Sequence, residues 1–560
     1  MAVNLGCWSA INMSVVTINR KVLEKVVGRK LSEEFLQEKV SMMGAVLEKV
    51  ATNEIEVEIF PSRPDMLSEQ GFARAFASFI GAKKGLRKYS VKPSGEKVII
   101  DASVKAVRPF TACAIVKKLK FDTEKIREII QLQEKLHLTF GRNRKKAAIG
   151  VYPLEKITFP ITFKAEIPSK IKFIPLESER ALTGLQILSQ HKTGREFGHL
   201  LEGKEKFPIF IDAKKEILSM PPIINSHLTG RITEDTKNVF IECSGFDYDT
   251  CSICLNIIVT SLAEMGGEIY SLDLIDGKEK KICPNLAPSK MKLDLDYINK
   301  RLGLKLNEKG AQGLLEKMGL GYEKGTVLIP AYRADVLHQV DLAEDIAIAY
   351  GYENFPEVIP NVATLGEEDA GEKFFRKVRE ILVGTELLEV KNLHLMTELE
   401  LNKKMGLTAS LVGLKNAMGE FNTLRNSLLP SLLKNLSENQ HNEYPQNIFE
   451  IGRTFGYGNT ETGVLEKEHL AIALCSDETD FTQIKQILDF LMKNLGLEAK
   501  VKDAKHLSFI PGRVGEIFVG GEKIGVIGEI HPQVLDNFGI QVPVVGLELD
   551  AEEVFGLVVK

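Results

Sequence analysis

Apolar and polar residues recur along this chain at two periods, and the switches between them outline its elements. From Met13 the sequence is regular (VVTINRKVLEKVVG), whereas Met1 to Asn12 carries neither period and reads as a disordered tail or a start placed too early. Ser32 to Met43 has helical spacing with Ser32 as N-cap, and Glu54 to Phe60 (EIEVEIF) is a period-two strand. That strand runs into a rigid turn, Pro61-Ser-Arg-Pro-Asp65, followed by a helix through Gly71-Phe-Ala-Arg74. Arg87 to Lys97, rich in Lys, Ser, Pro and Gly, predicts a linker. Beyond it, β-like runs at Val98–Ile100 and Ala112–Val116 alternate with helices such as Asp122 to Leu136, a mixed α/β pattern. A proline-marked seam near Cys283–Pro288 precedes a compact helical stretch, Lys292 to Tyr352. After the acidic break Gly366–Gly371 a second α/β region follows, strand-like near its end.

These switches predict a multidomain α/β and α+β protein. The expected domains are an N-terminal α+β domain at 13–97, a mixed α/β domain at 98–282, a small helical, winged (DNA-binding-like) domain at 283–358 and a last domain at 366–560. The length of 560 residues agrees, since about 150 residues per domain suggests about four. With 44% hydrophobic and 26% charged residues the composition is that of a folded protein. Its longest uncharged apolar stretches, such as Asn256 to Ala263, fall short of the ~20 residues of a membrane span, and no secretory signal is visible. Seven cysteines argue against a disulfide framework and for the cytoplasm. Cys251-Ser-Ile-Cys254 lacks the second ligand pair of a zinc knuckle and reads as core thiols on a helix. A net charge of −4 gives no support for RNA, so any such contact has to come from a local patch; Gly141-Arg-Asn-Arg-Lys-Lys146 is the densest.

The sharpest chemistry lies in Pro330–Ala347. Asp341, Glu344 and Asp345 stand at i, i+3 and i+4, where a helix groups their carboxylates, and like charges so placed repel by a few tenths of a kcal/mol per pair. Two things offset that: the helix N-terminal dipole, or a hard cation such as Mg²⁺ with Asp335 reaching in from the preceding loop. Spacing alone leaves both open.

The run Tyr332-Arg-Ala-Asp-Val-Leu-His338, with Asp341-Leu-Ala-Glu-Asp-Ile-Ala-Ile-Ala-Tyr-Gly-Tyr-Glu-Asn-Phe-Pro356, resembles the signature helix of the phenylalanyl-tRNA synthetase beta-subunit family. Further likenesses follow in order: Pro61–Asp65 with Gly71–Arg74, Leu424–Pro430, Phe449-Glu-Ile-Gly452, Gly512-Arg513 and Gly528–Pro532. The length suits the short archaeal/eukaryotic-like type. The resemblance implies a Mg²⁺ held by Asp335, Asp341, Glu344 and Asp345 where the chain meets a catalytic alpha subunit in an (αβ)₂ heterotetramer acting on tRNA(Phe), with no membrane. It also implies a class II synthetase-like antiparallel-sheet core at 366–560. Adenylate chemistry needs arginines against the α- and γ-phosphates. Arg425 stands where the first would be, but Asn426-Ser427 follows in place of an acid. No GxGxxR appears either, since Gly319-Leu-Gly321 leads to Lys324 and Gly456-Tyr-Gly458 to Glu461. The expectation is an inactive core with no residue catalytic for aminoacylation.

The middle domain resembles the family's editing module, which hydrolyses tRNA charged with tyrosine in place of phenylalanine. By that resemblance Phe210, Ser219, Asn225, Glu242 and Ser244 bound the pocket, with Glu242 accepting the tyrosine hydroxyl, and Arg142 and Arg144 hold the tRNA 3′ end. Read from the residues alone, Ser219 and Asn225 serve equally as turn residues and Glu242 as an edge-strand acid. No Ser-His-Asp set stands out, and His137 fits a structural role as well as a functional one. The alternatives are a scaffold without an active editing site and a free-standing editing hydrolase.

Overall fold

The computed structural model describes residues 14–362, 364–417 and 419–559, so the expectation for Met1–Asn12 lies outside the described residues. The chain divides into two units, one ending at Val358 and the other beginning at Ile359.

The first unit opens with strand β1 (Val15–Asn19), helices α1 (Arg20–Val27) and α2 (Glu33–Met42), and strands β2 (Val46–Val50) and β3 (Glu54–Glu58). The strands pair in the order β1-β3-β2. Ser32 caps α2 by accepting from Phe35 N at 3.2 Å, and Ile55 and Val57 of the alternating strand are fully buried. Helix α3 (Glu69–Phe79) follows, capped by Ser68.

Strand β4 (Val91–Ile100) begins inside the expected linker. It pairs in parallel with β14 (Glu268–Asp276), and the register shifts between Ser271 and Asp273, opposite the Pro93–Lys97 stretch. Proline and glycine are tolerated at such a bulge, so a composition that predicts a linker here marks an interrupted strand. The next elements are β5 (Phe110–Lys117), helix α4 (Thr123–Leu138), β6 (Ala147–Pro153) and β7 (Ile161–Glu166). A small pair, β8 (Lys172–Phe173) and β9 (Leu182–Thr183), leads to helices α5 (Gly184–Gln190) and α6 (Lys192–Phe197). Then come β10 (Phe207–Ile211), β11 (Ile217–Met220), β12 (Ile224–Asn225), the short helix α7 (His227–Gly230), β13 (Val239–Gly245), helix α8 (Tyr248–Glu264) and, after β14, β15 (Glu279–Cys283). Ten of these strands form one sheet in the order β12-β11-β10-β7-β4-β14-β5-β13-β6, with β15 branching from β14. Cys251 and Cys254 of α8 are buried free thiols, as core residues are.

The stretch expected to be helical also holds a small sheet, β16 (Ser289–Lys292), β17 (Gly321–Glu323) and β18 (Thr326–Ile329), beside helices α9 (Leu295–Leu302), α10 (Glu308–Lys317) and α11 (Gln339–Tyr350).

The second unit contains helix α12 (Ala370–Val383), β19 (Leu388–Glu389), the pair β20 (Leu395–Met396) and β21 (Thr423–Leu424), and helix α13 (Leu429–Glu438). Strands β22 (Gln446–Tyr457) and β23 (Val464–Cys475), helix α14 (Phe481–Asn494), β24 (Ala499–Asp503), β25 (Phe509–Val519), β26 (Glu522–Ile530), helix α15 (Pro532–Phe538), β27 (Val544–Asp550) and helix α16 (Ala551–Val559) complete it. Its seven-stranded sheet runs β19-β22-β23-β27-β26-β25-β24, antiparallel except for the first pair. Both faces are covered. Leu470, Ile472 and Leu474 of β23 enter one apolar cluster, while the intervening Ala471, Ala473 and Cys475 enter the other, with Leu432 and Leu433 of α13. The small side chains let α13 approach closely.

A fully buried ion pair crosses this unit. Arg425 Nη1 donates to Glu450 Oε1 at 2.8 Å and Nε to the Arg453 carbonyl at 2.9 Å, and neither Arg425 nor Glu450 has measurable exposure. Gly452 makes the room, since a Cβ there would stand 2.5 Å from Arg425 Nη2. The acid that the sequence lacked beside Arg425 is therefore supplied by the Phe449–Gly452 block. Removing one partner of such a pair leaves a naked buried charge, so Glu450→Ala should destabilise this unit by about 3–5 kcal/mol in denaturant melts, and Arg425→Met with Glu450→Leu should recover much of that loss.

Candidate functional site

The two end strands of the ten-stranded order meet each other. Tyr152 on β6 has its hydroxyl 3.1 Å from Glu242 Oε1 and 3.3 Å from Asn225 Oδ1 on β12. Next to this junction opens a cavity of about 360 Å³, walled by Ile126, Ile129 and Gln133 of α4, by Ile149 and Val151 of β6, and by Pro222–Asn225 and Glu242.

Strand pairing explains the convergence. On β13, a strand between β5 and β6 and not an edge, Glu242 lies opposite Gly150, and Tyr152 is two residues further along the same face of β6. Gly150 is required, because a Cβ there would overlap the Tyr152 hydroxyl and the Glu242 carboxylate. Phe210, Ser219 and Asn225 stand side by side across β10, β11 and β12, so Ser219 and Asn225 are strand residues and not turn residues.

The charge at the floor is unusual. Glu242 is 2% exposed, and burial lifts its carboxyl to about 8 against the weaker pull of Tyr152, Arg108 and Ser244. Its Oε2 is buried without a hydrogen-bond partner among the described residues. Burial also raises the Tyr152 phenol, which therefore stays a donor. Ser219 lies near this phenol, yet its own hydroxyl makes no hydrogen bond of good geometry.

Of the residues expected to bound the pocket, the cavity wall includes Asn225 and Glu242. Phe210 lies behind it, stacked on Phe163 with ring centroids 4.3 Å apart. Ser244 is occupied by Arg108, which donates to its Oγ at 3.1 Å and its carbonyl at 2.5 Å. The basic loop splits as well. Arg142, Asn143 and Arg144 take successive φ angles of 48°, 52° and 63°, a left-handed turn that aims Arg144 inward and leaves Arg142 exposed. Arg144 donates to the Ile223 carbonyl at 2.9 Å and to Glu134 at 3.1 Å, and covers the Phe197 ring at 4.2 Å. These contacts hold it against the cavity wall. Despite burial, hydrogen bonds from His137 and Arg144 hold Glu134 down at about 2. His137 is structural: its Nε2 accepts from Ile149 N at 2.8 Å, which leaves no basic nitrogen facing the cavity. Sequence reading missed Tyr152, Gly150, Arg108 and Glu134; Gly150-Val-Tyr152 was the available signal.

The acid quartet separates in the same way. Asp341 occupies the first turn of α11, where its Oδ2 accepts from Leu337 N and His338 N, each at 2.7 Å, as the dipole reading expects. Asp345 is 4% exposed and shares the Arg333 guanidinium with Asp335: Arg333 Nη2 stands 2.7 Å from Asp335 Oδ2 and 3.0 Å from Asp345 Oδ2. Glu344 faces solvent. As placed, the four acids do not fit a Mg²⁺ octahedron, and among the described residues no three His, Cys, Asp or Glu side chains converge to hold a metal ion. Arg333 is the counter-charge. It acts also on Asp65, which Arg63 grips through two bonds of 2.9 Å, and beside it the Arg74 guanidinium lies 3.8 Å over the Tyr332 ring. The Pro61–Arg74 block thus packs on the Tyr332–Asp345 block.

Two family models match the chain: one described as "Phenylalanyl tRNA synthetase beta chain CLM domain" over residues 355–551, and one described as "tRNA synthetase B5 domain" over 291–352. The phenylalanine–tRNA ligase beta subunit of Pyrococcus horikoshii is 40% identical over 544 residues, spanning 95% of this chain and 98% of that one. That of Methanocaldococcus jannaschii is 39% identical over 552 residues, spanning 96% and 100%. Among solved structures, an N-terminal fragment of the Pyrococcus horikoshii phenylalanyl-tRNA synthetase beta subunit superposes with a TM-score of 0.58 at 39% identity, covering 60% of this chain and 99% of the fragment.

The raised Glu242 carboxyl carries a pH signature. The folded protein keeps this proton up to about pH 8 and the unfolded chain releases it near 4.5, so the stability it contributes is full below 4.5 and lost as pH rises to 8. Between pH 5 and 8, Glu242→Gln should therefore lose less stability than the parent chain, by about 2–4 kcal/mol, measured as the difference between their unfolding curves.

Proposed function

The chain belongs to the beta-subunit family of phenylalanine–tRNA ligases, and from that premise we propose that it completes a catalytic alpha subunit, as an (αβ)₂ heterotetramer, and hydrolyses tRNA(Phe) mischarged with tyrosine in the cavity beside Glu242. The observation that carries the editing reading is the Glu242 Oε2 atom, buried at the cavity wall with no hydrogen-bond partner of good geometry among the described residues. A tyrosyl hydroxyl placed there meets a waiting carboxyl, whereas a phenylalanyl ring leaves that oxygen unpaired. Sites built around a buried polar group discriminate in this direction far better than an apolar pocket discriminates against an added hydroxyl.

Tyr152 and Gly150 position the Glu242 carboxyl, and Arg144 with Glu134 fixes the rim. In this reading Arg142, Lys145 and Lys146, all exposed, supply phosphate contacts for the tRNA 3′ end. His137 is locked in its backbone contact, so the attacking water takes no proton to it; water positioning falls to the substrate's own hydroxyls and the polar rim. No step runs through a metal at the acid quartet.

Arg425 supports the inactive reading of residues 366–560, since a guanidinium sealed against Glu450 cannot bind an ATP phosphate. Adenylate formation belongs to the alpha subunit. Around α11 the exposed Glu344, the 80% exposed Leu337 and the 65% exposed Tyr352 leave a mixed apolar and acidic surface, suited to that subunit. Among the described residues no helix is long and apolar enough to cross a membrane, and the proposed setting is the cytoplasm.

The test is co-expression with the alpha subunit. Phenylalanine charging should need both chains, and the complex should deacylate Tyr-tRNA(Phe). Glu242→Ala should slow that deacylation about 100-fold, near 2.7 kcal/mol of transition-state stabilisation, with phenylalanine charging unchanged. Full deacylation by the variant would defeat the editing reading, and no deacylation by the parent complex would leave a scaffold subunit.

A further inference from the structure

The loop between α3 and β4 carries four cations in six residues, Lys83, Lys84, Arg87 and Lys88. The three lysines are exposed and Arg87 is half-buried. Among the described residues none of the four side chains takes part in an ion pair, a hydrogen bond or a ring contact. Lys92 and Lys118 show the usual alternative, sharing Glu268 at 2.8 and 2.7 Å. The whole chain has a net charge of −4, so this cluster is a local feature and not a reflection of composition. The loop is also pinned. Lys83 N donates to the Ala77 carbonyl at 3.0 Å and Gly85 N to the Glu316 carbonyl at 2.7 Å, where the Ser78 hydroxyl donates as well, at 3.0 Å. A backbone held in this way loses little further freedom when a partner binds.

The ground behind the loop is positive too. Arg87 lines a small cavity of about 10 Å³ whose other charged wall residues are Arg63, Arg74, Arg333 and Asp65. Asp65 pairs with Arg63, and Asp335 and Asp345 pair with Arg333. Arg74 has no carboxylate partner: its Nη1 donates to the Tyr89 hydroxyl at 3.0 Å, and its buried Nη2 has no hydrogen-bond partner among the described residues. The charge left over, on Arg74 and Arg87, adds to the field of the three lysines. Such a field on a fixed loop suits a polyanion. No large apolar side chain is exposed between Gly81 and Ser90, so nothing here would insert into a lipid surface. Unpaired ammonium and guanidinium donors match phosphate oxygens, and the chain belongs to a family of tRNA ligases. We propose that Lys83, Lys84, Arg87 and Lys88 form a second RNA-contact surface, which binds the phosphate backbone of the tRNA outside its 3′ end. This rests on membership of the family and is independent of the editing reading.

The test uses the full chain and a fluorescent tRNA(Phe) transcript lacking its 3′-terminal CCA, so that contacts to the 3′ end do not contribute. Binding is followed by anisotropy across a potassium chloride series. The parent chain should bind, with an affinity that falls with salt at a logarithmic slope of about −3 or steeper, as four phosphate contacts require. Lys83→Ala, Lys84→Ala and Lys88→Ala together change only exposed positions and should weaken binding at least about tenfold, cutting the slope by about 2–3. The same three positions changed to arginine should restore both affinity and slope. Vesicles of phosphatidylserine, the other polyanionic surface, should not retain the chain. A parent chain that does not bind the transcript, an alanine variant with the parent's affinity and slope, or a chain that binds the vesicles and not the RNA overturns the proposal. The editing reading stands or falls on deacylation at Glu242, so the two failures appear in different assays.

Discussion

The closure between β6 and β12 is the constraint from which the middle domain's chemistry follows. The two end strands share no backbone pairing and meet through side chains, and were they apart Glu242 would be solvated. With the ends brought together by the Tyr152–Asn225 contact and by Arg144 reaching the Ile223 carbonyl, the space between them becomes a cavity and the carboxyl at its floor loses water. Burial then does the rest: it raises Glu242, keeps the Tyr152 phenol protonated, and makes a single unpaired oxygen energetically meaningful. Opening the seam would return Glu242 to an ordinary surface acid with nothing to select.

Buried charge elsewhere follows one rule, in which each guanidinium taken out of water is met by fixed acceptors. Arg333 has Asp335 and Asp345, Arg63 has Asp65, and Arg425 has Glu450. Arg74 and Arg108 are exceptions: Arg74 donates to the Tyr89 hydroxyl and lies over Tyr332, and Arg108 is bonded to neutral groups of Ser244 and Arg144, where burial lowers its pKa to about 10. The rule has a functional consequence. Arg63, Arg74, Arg333 and Arg425, in recognisable sequence blocks, hold the protein together, while Arg142, Lys145 and Lys146 lie exposed on a loop with a left-handed turn at 142–144.

What could be read from the sequence was what short-range forces decide. Ser32 and Asp122 cap helices through hydrogen bonds to residues three positions on, and the EIEVEIF alternation needs only one buried face. Glu242 and Asn225 were reached through resemblance, and the cavity holds both. Tyr152 was not, because its partners lie 73 and 90 residues away and depend on which strands pair and how the sheet closes. The acid quartet shows the same limit from the other side. Helical spacing groups Asp341, Glu344 and Asp345, but the direction of the core turns Asp345 inward to Arg333 and Glu344 outward to solvent. The linker expected at Arg87–Lys97 failed for a related reason, since proline and glycine in a strand are legible as a bulge only once the partner strand is known.

A carboxyl that titrates near 8 also bears on which substrate the proposed site would reject. Near neutral pH most copies of Glu242 carry a proton, so the group can donate as well as accept, and a tyrosyl hydroxyl finds a partner in either state. Phenylalanine has nothing to offer, and it leaves the already buried oxygen as unpaired as it is in the empty site. Discrimination of this kind comes from a hydrogen bond that only the wrong amino acid can make, about 1–3 kcal/mol recovered when it pairs the buried oxygen. That suits an editing site, which must above all spare phenylalanyl-tRNA. It also gives the close packing at Glu242 a use: Gly150 and Tyr152 hold the carboxyl in one place, ready for a tyrosyl hydroxyl.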